Sequence, residues 1–460
     1  MEKSSRTNLF LVLAVAIFAT ALAQRNKSCD TKRLTDDPGK VNVYCDCMQR
    51  LTQVSLKINR LTINQTECSE TGLELMWSEL ESKVAPEKLV LAGAQVYITP
   101  NTTVQSWTPS IKVLEFIDCN IAELPEHAFR GLSLLKEVRL IRSTVEVIKS
   151  DAFSNLDDLR LVEVANSTIT LIEDHAFNNL PVLDDLAFGY SSIGSFASGA
   201  ISLQPSQEAA RERCRSAGRS TAEPKEMIDD IMGRELSSFG NLSLPEYGTR
   251  LTLYKNNIIT INSKAISTET LGFLIIGGNH ILMVEQEAFD MELHNECEIS
   301  AALFVGNTID TLSSLALKGL RGRDGAAHQA FLAIANNTFV NVFDQAFQLS
   351  DNLVVFAVEE NQFSCSCENI GWVLNKPTGQ VQRELEKEIV EKAVCLDGRN
   401  LIDFTTSCTD KGDPIYTTDA SAHSTTGLPT DVTTESPANS ASAISYTASL
   451  AAVVISTFFL

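Results

Sequence analysis

The sequence predicts an α/β solenoid, a horseshoe with a parallel β-sheet on its concave face and a disulfide-bonded cap at each end. Three observations predict this fold. An apolar pattern recurs every 24 residues in its most regular part, a second apolar pattern follows each copy, and two groups of four cysteines flank the repeats. A repeat this short cannot bury its own apolar face, so consecutive repeats must stack on one another.

Residues 1–23 form the pattern of a secretory signal peptide. A short basic region that ends at Arg6 precedes an apolar run from Leu9 to Ala23, and small residues flank Leu22 at the exit. A buried first helix is the alternative interpretation. The signal peptide predicts an extracellular protein.

Residues 443–460 are apolar and follow small residues, which is the pattern of a glycosylphosphatidylinositol (GPI) attachment signal. The anchored residue would be Asn439 or Ser440. A transmembrane helix is the alternative, but it needs roughly 20 apolar residues. Residues 409–442 are rich in Ser, Thr and Pro and predict an extended stalk. We therefore expect the protein on the extracellular side of the plasma membrane, with a secreted protein as the alternative.

Cysteines near both ends predict disulfide caps over residues 24–85 and 364–408. In an oxidising compartment each group of four can form two disulfides. Metal binding is disfavoured because no nearby His completes either set. We expect Cys119 to be free and buried, and Cys214 and Cys297 are a further candidate pair. The eight cap cysteines are Cys29, Cys45, Cys47, Cys68, Cys365, Cys367, Cys395 and Cys408.

Six N-x-S/T sequons predict N-glycosylation, as expected for a secreted chain. They lie at Asn26, Asn64, Asn101, Asn166, Asn241 and Asn336. The formal net charge of −21 argues against binding to a nucleic acid backbone. It leaves carboxylates available to basic partners or cations.

The repeats over residues 86–363 follow the template L-x-x-L-x-L-x-x-N/C-x-L. The L-x-L pair is expected on a strand, where alternation puts one face inside. The ninth position turns the chain, and a buried Asn there can bond to neighbouring backbone groups. The repeats begin at Pro86, Ile111, Leu135, Leu159, Leu183, Gly248, Leu271, Ile299, Gln329 and Leu353, and their ninth positions are Ala94, Cys119, Ser143, Ser167, Ser191, Asn256, Asn279, Asn307, Asn337 and Asn361.

A second motif, an apolar pair followed by Ala-Phe and often Leu, comes after each predicted strand. We expect its Phe residues to stack as a continuous core along the convex side. They include Phe129, Phe153, Phe177, Phe289 and Phe347. A Rossmann-like fold is excluded, because the period is too short for βαβ units and no G-x-G-x-x-G loop is present.

These motifs resemble the extracellular leucine-rich-repeat family with cysteine-rich caps. The segment Asn361-Gln-Phe-Ser-Cys365-Ser-Cys367, followed by Trp372 and Leu374, is similar to the N-x-F-x-C-x-C…W-L cap of that family. The resemblance implies a leucine-rich-repeat horseshoe that binds proteins, with two disulfides in the C-terminal cap. In plan the chain is similar to GPI-anchored adhesion proteins of the chaoptin and connectin type.

Two segments depart from the repeat. Between Pro377 and Val394, apolar residues recur at helical spacing and predict a cap helix. Residues 204–245 hold no repeat and are rich in Arg. We favour a disordered insertion, or an error in the predicted coding sequence, over a protruding loop that contacts an acidic partner or a glycan sulfate.

Side chains between the strand anchors are expected on the concave surface. They are polar in the first repeats and apolar in the later ones, and the later ones predict either a partner surface or an ordinary solvated face. The candidate binding residues are Glu137, Arg139, Tyr190, Arg250, Tyr254, Phe273, Leu303 and Phe331.

The predicted function is cell-surface adhesion or recognition, with a protein ligand or receptor as partner and homophilic binding left open. A non-catalytic stabilising subunit of a secreted enzyme, of the luciferin-monooxygenase repeat-subunit type, and a soluble innate-immune recognition protein are the alternatives. We predict no enzyme activity, cofactor or metal site, since neither H-E-x-x-H nor G-x-S-x-G occurs.

Overall fold

The protein is an all-β solenoid of about nine turns with three parallel sheets. The computed structural model describes residues 28–33, 41–46, 58–64, 73–76, 86–99, 110–206, 208, 211, 249–294, 299–323, 329–349, 352–367, 369–370, 373 and 380–409. These residues all belong to one compact unit, Met1–Asp413.

The first sheet has 13 strands in the described residues, all of them parallel except β1, which is antiparallel to β2. Its strands are β1 (Ser28–Arg33), β2 (Val41–Asp46), β3 (Ile58–Asn64), β5 (Lys88–Ala92), β7 (Val113–Ile117), β9 (Glu137–Ile141), β12 (Leu161–Ala165), β15 (Asp185–Gly189), β18 (Arg250–Tyr254), β21 (Phe273–Gly277), β24 (Ile299–Val305), β27 (Gln329–Ala335) and β29 (Val354–Glu359).

The second sheet has 12 strands in the described residues, and every first-sheet strand from β3 onward is followed by one of them. Its strands are β4 (Leu73–Met76), β6 (Gln95–Thr99), β8 (Asn120–Leu124), β10 (Thr144–Ile148), β13 (Thr168–Ile172), β16 (Ser192–Phe196), β19 (Asn257–Ile261), β22 (His280–Val284), β25 (Thr308–Leu312), β28 (Thr338–Val342), β30 (Gln362–Phe363) and β31 (Val394–Cys395).

The third sheet is shorter, with six strands in the described residues. They are β11 (Phe153–Ser154), β14 (Phe177–Asn178), β17 (Ile201–Ser202), β20 (Ile266–Leu271), β23 (Phe289–Leu293) and β26 (Leu320–Gly322). Two helices follow the repeats, α1 (Gln380–Lys392) and α2 (Leu401–Thr409).

The predicted α/β leucine-rich-repeat horseshoe is wrong, and so is the resemblance to the leucine-rich-repeat family. The segments after each first-sheet strand form the second and third sheets, and the fold holds almost no helix. Thr144–Ile148 shows the physical reason, because Thr-Val-Glu-Val-Ile alternates at period two and is rich in β-branched residues, which favour strands. The Ala-Phe motif begins third-sheet strands at Phe153 and Phe177.

The predicted stacking of strand anchors is confirmed. Leu140, Leu186 and Ile276 lie on strands of the first sheet and are completely buried. The Phe core is confirmed as well, since the Phe153 ring lies 4.7 Å from the ring centroids of both Phe129 and Phe177. One apolar cluster therefore runs through the solenoid from Leu61 to Leu401.

Ninth-position side chains form a buried hydrogen-bonded ladder between turns, as predicted. The Asn307 Oδ1 accepts a hydrogen bond from the backbone N–H of Asn279 at 3.0 Å, and its Nδ2 donates to the Ile276 carbonyl at 2.7 Å. The Ser167 Oγ accepts from the backbone N–H of Ser143 at 3.0 Å. Each turn thus satisfies backbone groups of its neighbour that would otherwise be buried and unpaired.

The C-terminal end of the solenoid is closed by α1, which confirms the predicted cap helix. Leu385 and Ile389 of this helix are completely buried in the main cluster. Cys365 and Cys395 form a disulfide that ties the end of the repeats to β31. Within the described ranges, no helix is long and apolar enough to cross a membrane.

Candidate recognition surface

Each strand of the first sheet buries alternate side chains and turns the others away from the main core. On β18, for example, Leu251 and Leu253 belong to the main cluster, whereas Arg250, Thr252 and Tyr254 alternate with them. We call the side of the first sheet formed by such alternating residues the outer face. Because the strands are parallel and in register, outer-face residues line up in rows along the solenoid.

The sequence-predicted binding residues come together on this face. Glu137, Arg139, Arg250, Tyr254, Phe273, Leu303 and Phe331 lie on its strands. Tyr190 is in the turn directly after β15. From β5 to β18 the face carries charged and polar side chains among apolar ones, and we call this its polar part; from β21 to β27 it is mostly apolar.

The polar part of the outer face is organised by ion pairs that join consecutive turns. Lys88 Nζ lies 2.7 Å from Glu115 Oε1, and Arg250 is paired with Asp185. Arg139 is shared, with one nitrogen 3.0 Å from Glu137 and another 3.6 Å from Glu163. Lys88, Glu137 and Arg139 keep about a third of their side-chain surface accessible, whereas Glu115 and Asp185 are buried.

The Glu163 carboxyl is partly buried among charged neighbours on the outer face. Burial raises the pKa of the Glu163 carboxyl above its ordinary value, opposed by Arg139 and supported by the carboxylates of Asp185, Glu115 and Glu137. Desolvation of the carboxyl by burial is thus the main cause of the shift.

Two tyrosines and a lysine form a cluster at the edge of the polar part. The rings of Tyr190 and Tyr254 meet edge-on with centroids 5.7 Å apart. The Lys255 ammonium lies 5.6 Å from the Tyr190 ring centroid and 5.3 Å from that of Tyr254. Tyr190 is 40% exposed, so this cation–π cluster presents an aromatic surface to solvent.

The apolar part of the outer face forms a second hydrophobic cluster, separate from the main core. Its buried members are Phe273, Ile275, Ala301, Leu303, Phe331 and Ala333. Leu303 is 0% exposed and Phe331 is 7% exposed. Among the described residues, Phe273, Leu303 and Phe331 are therefore buried rather than part of an exposed apolar strip, whereas Tyr190 is exposed.

Three predicted glycosylation sites fall in the described residues, and all three are exposed. Asn64 ends β3, whereas Asn166 and Asn336 directly follow β12 and β27 in left-handed backbone conformations. A glycan at either of the last two would lie at the edge of the outer face. Asn26, Asn101 and Asn241 lie outside the described residues, and glycosylation stays a prediction at every site.

The cysteines are only partly described. Cys365 is bonded to Cys395, and Cys367 is also disulfide-bonded. Cys29 and Cys45 are register partners on β1 and β2. Cys408 lies in α2. Cys47, Cys68, Cys214 and Cys297 lie outside the described residues, as do the predicted signal peptide, stalk and tail and the anchor residues Asn439 and Ser440.

Cys119 is free and buried, as predicted. Its thiol lies 3.4 Å from the carbonyl oxygens of Leu91 and Ile117. Burial raises the pKa of the thiol to about 11, so it is protonated at neutral pH. Cys119 therefore acts as a rung of the ladder rather than as a nucleophile.

Neither a search with protein-family models nor a search of curated proteins found a match for the chain. In the part of the chain that the structure describes, no group of three or more His, Cys, Asp or Glu is placed to hold a metal ion.

Sequence reasoning missed Thr252, which lies in the middle row of the outer face. Its hydroxyl is buried and has no hydrogen-bond partner. The signal that could have found it is its place between Leu251 and Leu253, which puts a polar side chain on the same face as Arg250 and Tyr254.

Proposed function

We propose that the protein is a non-catalytic recognition protein that binds another protein through the polar part of its outer face, from β5 to β18, together with Tyr190. The observation that carries this proposal is the alignment of accessible charged side chains with an exposed tyrosine over consecutive strands of one sheet.

The composition of this surface supports the proposal. Tyrosine and arginine are enriched at protein interfaces and among the residues whose truncation costs most binding energy. Arg139 and Arg250 lie in adjacent rows of the outer face, and Tyr190 borders it. A solenoid sheet also presents an extended surface built from rigid strands, which suits binding of a large partner.

Extracellular display is the second part of the proposal, and it is supported by the signal-peptide pattern, the sequons and the GPI-type tail. Adhesion between cells is the activity that these features favour. If the chain is GPI-anchored, a phosphatidylinositol-specific phospholipase should release it from the surface of cells that express it.

A cell-mixing assay tests recognition. Cells that express the full chain are mixed with labelled cells that do not express it and, separately, with labelled cells that do. We expect aggregation in at least one mixture, and we expect Tyr190→Ala and Arg139→Glu to abolish it. Glu146→Lys is the matched control, because Glu146 is exposed on β10 of the second sheet, away from the outer face.

Two results would contradict the proposal. One is the absence of aggregation in both mixtures at normal surface expression. The other is an equal loss of aggregation in Glu146→Lys and in the two outer-face variants, which would place the binding surface elsewhere.

A further inference from the structure

The residues that directly follow the first-sheet strands form a row along one edge of the outer face. All of them take the left-handed backbone conformation, and each except the last donates its backbone N–H to the residue that ends the next strand. Asn166, for example, donates to the Gly189 carbonyl at 2.9 Å. We call this the edge row, and its members in chain order are Gly93, Asp118, Arg142, Asn166, Tyr190, Lys255, Gly278, Gly306, Asn336 and Glu360.

Tyr190 lies between Asn166 and Lys255 in the edge row. Strands β12, β15 and β18 pair in register, so the residues that follow them are one strand spacing apart, about 4.8 Å. The Lys255 ammonium lies over the Tyr190 ring, 5.6 Å from its centroid. Asn166 belongs to the turn on the other side, and Tyr190 keeps 40% of its surface exposed. The ring therefore has a cation on one side and a sequon asparagine on the other.

We propose that Asn166 carries an N-linked oligosaccharide whose first sugar packs against the side of the Tyr190 ring away from Lys255. Asn166-Ser167-Thr168 is a complete sequon, and the Asn166 side chain is exposed one turn from the ring. The C–H face of a pyranose is apolar, so stacking on tyrosine removes apolar surface of both rings from water. The inference does not depend on the proposed function, because the sugar and the ring belong to the same chain.

Attachment of the glycan uses a lipid-linked oligosaccharide donor of the secretory pathway. The Asn166 Nδ2 forms a bond with the anomeric carbon of the first sugar and gives up one proton to water. The bond from that carbon to the donor's pyrophosphate breaks, and the lipid pyrophosphate leaves with the bonding electrons. In the folded chain Ser167, the middle residue of the sequon, is buried in the ladder, so transfer precedes folding of this turn.

Asn336 provides a matched comparison within the chain. It is an exposed member of the same row with the same left-handed backbone, and its sequon likewise continues with a buried ladder residue, Asn337, and a threonine. Its neighbours in the edge row are Gly306 and Glu360, neither of which is aromatic. The two glycans thus share a backbone setting and differ in the aromatic neighbour.

The full chain, produced in cultured animal cells, tests the inference in its native state. A peptide N-glycosidase hydrolyses the bond between the asparagine and the first sugar, and mass spectrometry of the peptides follows each site separately over time. We expect both sites to be occupied. The Asn166 glycan should be released about fivefold more slowly than the Asn336 glycan, as one aromatic stacking contact would produce.

Substitutions of Tyr190 assign the protection to its ring. Tyr190→Ala should raise the release rate at Asn166 to that at Asn336 and leave the rate at Asn336 unchanged. Tyr190→Phe keeps the ring and should keep the protection. After denaturation, both sites should release their glycans at the same rate in every variant.

Three results would overturn the inference. They are an unoccupied Asn166, equal release rates from the two sites of the native chain, and slow release at Asn166 that persists in Tyr190→Ala. If Tyr190→Ala loosens the fold, which faster release at Asn336 would reveal, Tyr190→Leu takes its place as an apolar side chain without a ring. No readout involves a partner protein, so the cell-mixing assay bears on the proposed function alone.

Discussion

The turns before and after residues 207–248 share one fold but differ in the residues that form the hydrogen-bonded ladder between turns. In the early turns, residues 110–206, the ladder residues Cys119, Ser143, Ser167 and Ser191 are each 24 residues from the next along the chain. In the later turns, residues 249–363, the ladder is made of Asn, and the spacings are 23, 28, 30 and 24 residues.

The serine and asparagine ladders differ in the number of hydrogen bonds that each ladder residue makes. Ser167 accepts one backbone N–H and donates to a carbonyl oxygen through a short side chain. Asn307 accepts from both the backbone and the side chain of Asn279, and it donates to Ile276 and to Asn337. A rung with four bonds holds neighbouring turns in register even where their lengths differ, whereas the serine ladder occurs where the period is regular.

Removing one rung from each ladder should give the largest effect. Asn307→Ala leaves several buried groups unpaired, and we expect a loss of about 3–5 kcal/mol in unfolding free energy. Ser167→Ala should cost about 1–2 kcal/mol. Urea denaturation of both variants measures the two losses of unfolding free energy. Equal losses would show that the two ladders stabilise the fold to the same extent.

Substitutions on the outer face should also lower the unfolding free energy more in the later turns than in the early ones. Leu303→Ala removes a completely buried side chain from the second cluster, and we expect a loss of about 2–4 kcal/mol. Arg139→Ala, on the polar part, should cost less than about 1 kcal/mol because its ion pairs are half-exposed. Thermal or urea denaturation gives both values, and a larger loss in Arg139→Ala would contradict the description of the polar part as an accessible surface.

A smaller effect is expected from the pH dependence of Glu163→Gln. Because the folded state raises the pKa of Glu163 above 4.5, it holds more protons than the unfolded state between 4.5 and the raised value. The stability contributed by this residue therefore falls as pH rises through that window. Glutamine does not titrate, so the stability of Glu163→Gln relative to the natural chain should increase from about pH 4 to about pH 7.5.

The control for this prediction is Glu146→Gln, which makes the same substitution on the exposed side of the second sheet. Urea midpoints at the two pH values provide the measurement. A relative stability of Glu163→Gln that decreases with pH would mean that Arg139 stabilises the ionised carboxyl more than burial destabilises it.

The smallest effect on stability is expected at Cys119. Cys119→Ser continues the serine ladder and should change the unfolding free energy by less than about 1 kcal/mol. In the natural chain, its thiol should react with a thiol reagent only after unfolding, because it is buried and its pKa is about 11. Reaction of this thiol in the folded chain at neutral pH would show that the ladder opens locally.

Sequence periodicity predicted the strands of the first sheet from β5 onward, the ladder and the Phe core, because each depends on residues that repeat at fixed positions. It did not predict β1, β2 and β3, which lie in the segment interpreted as a cysteine-rich cap. It failed on the remainder of each turn. The short segments after each ladder residue were assigned to an α/β plan by resemblance, although Thr144–Ile148 and Thr168–Ile172 alternate at period two. Reading those segments by their own alternation would have predicted a second sheet.

The candidate surface was predictable in part. The alternation around Arg139 and Arg250 was enough to place these side chains on one face. Burial of Phe273 and Leu303 was not predictable, because their neighbours in the sequence do not determine what packs over a sheet face. The unpaired Thr252 hydroxyl likewise depends on which residues of β15 and β21 lie beside it, and those come from distant parts of the chain.

Strands β15 and β18 pair in perfect register, with Asp185 opposite Arg250 and Gly189 opposite Tyr254. The ladder residues of these two turns, Ser191 and Asn256, are 65 positions apart and still bond. The free energy of closing a loop grows only slowly with its length. The pairing of β15 with β18 should therefore depend little on the length of the chain between them. This junction is thus a natural acceptor position, where a fluorescent domain could be inserted genetically without shifting the turns on either side.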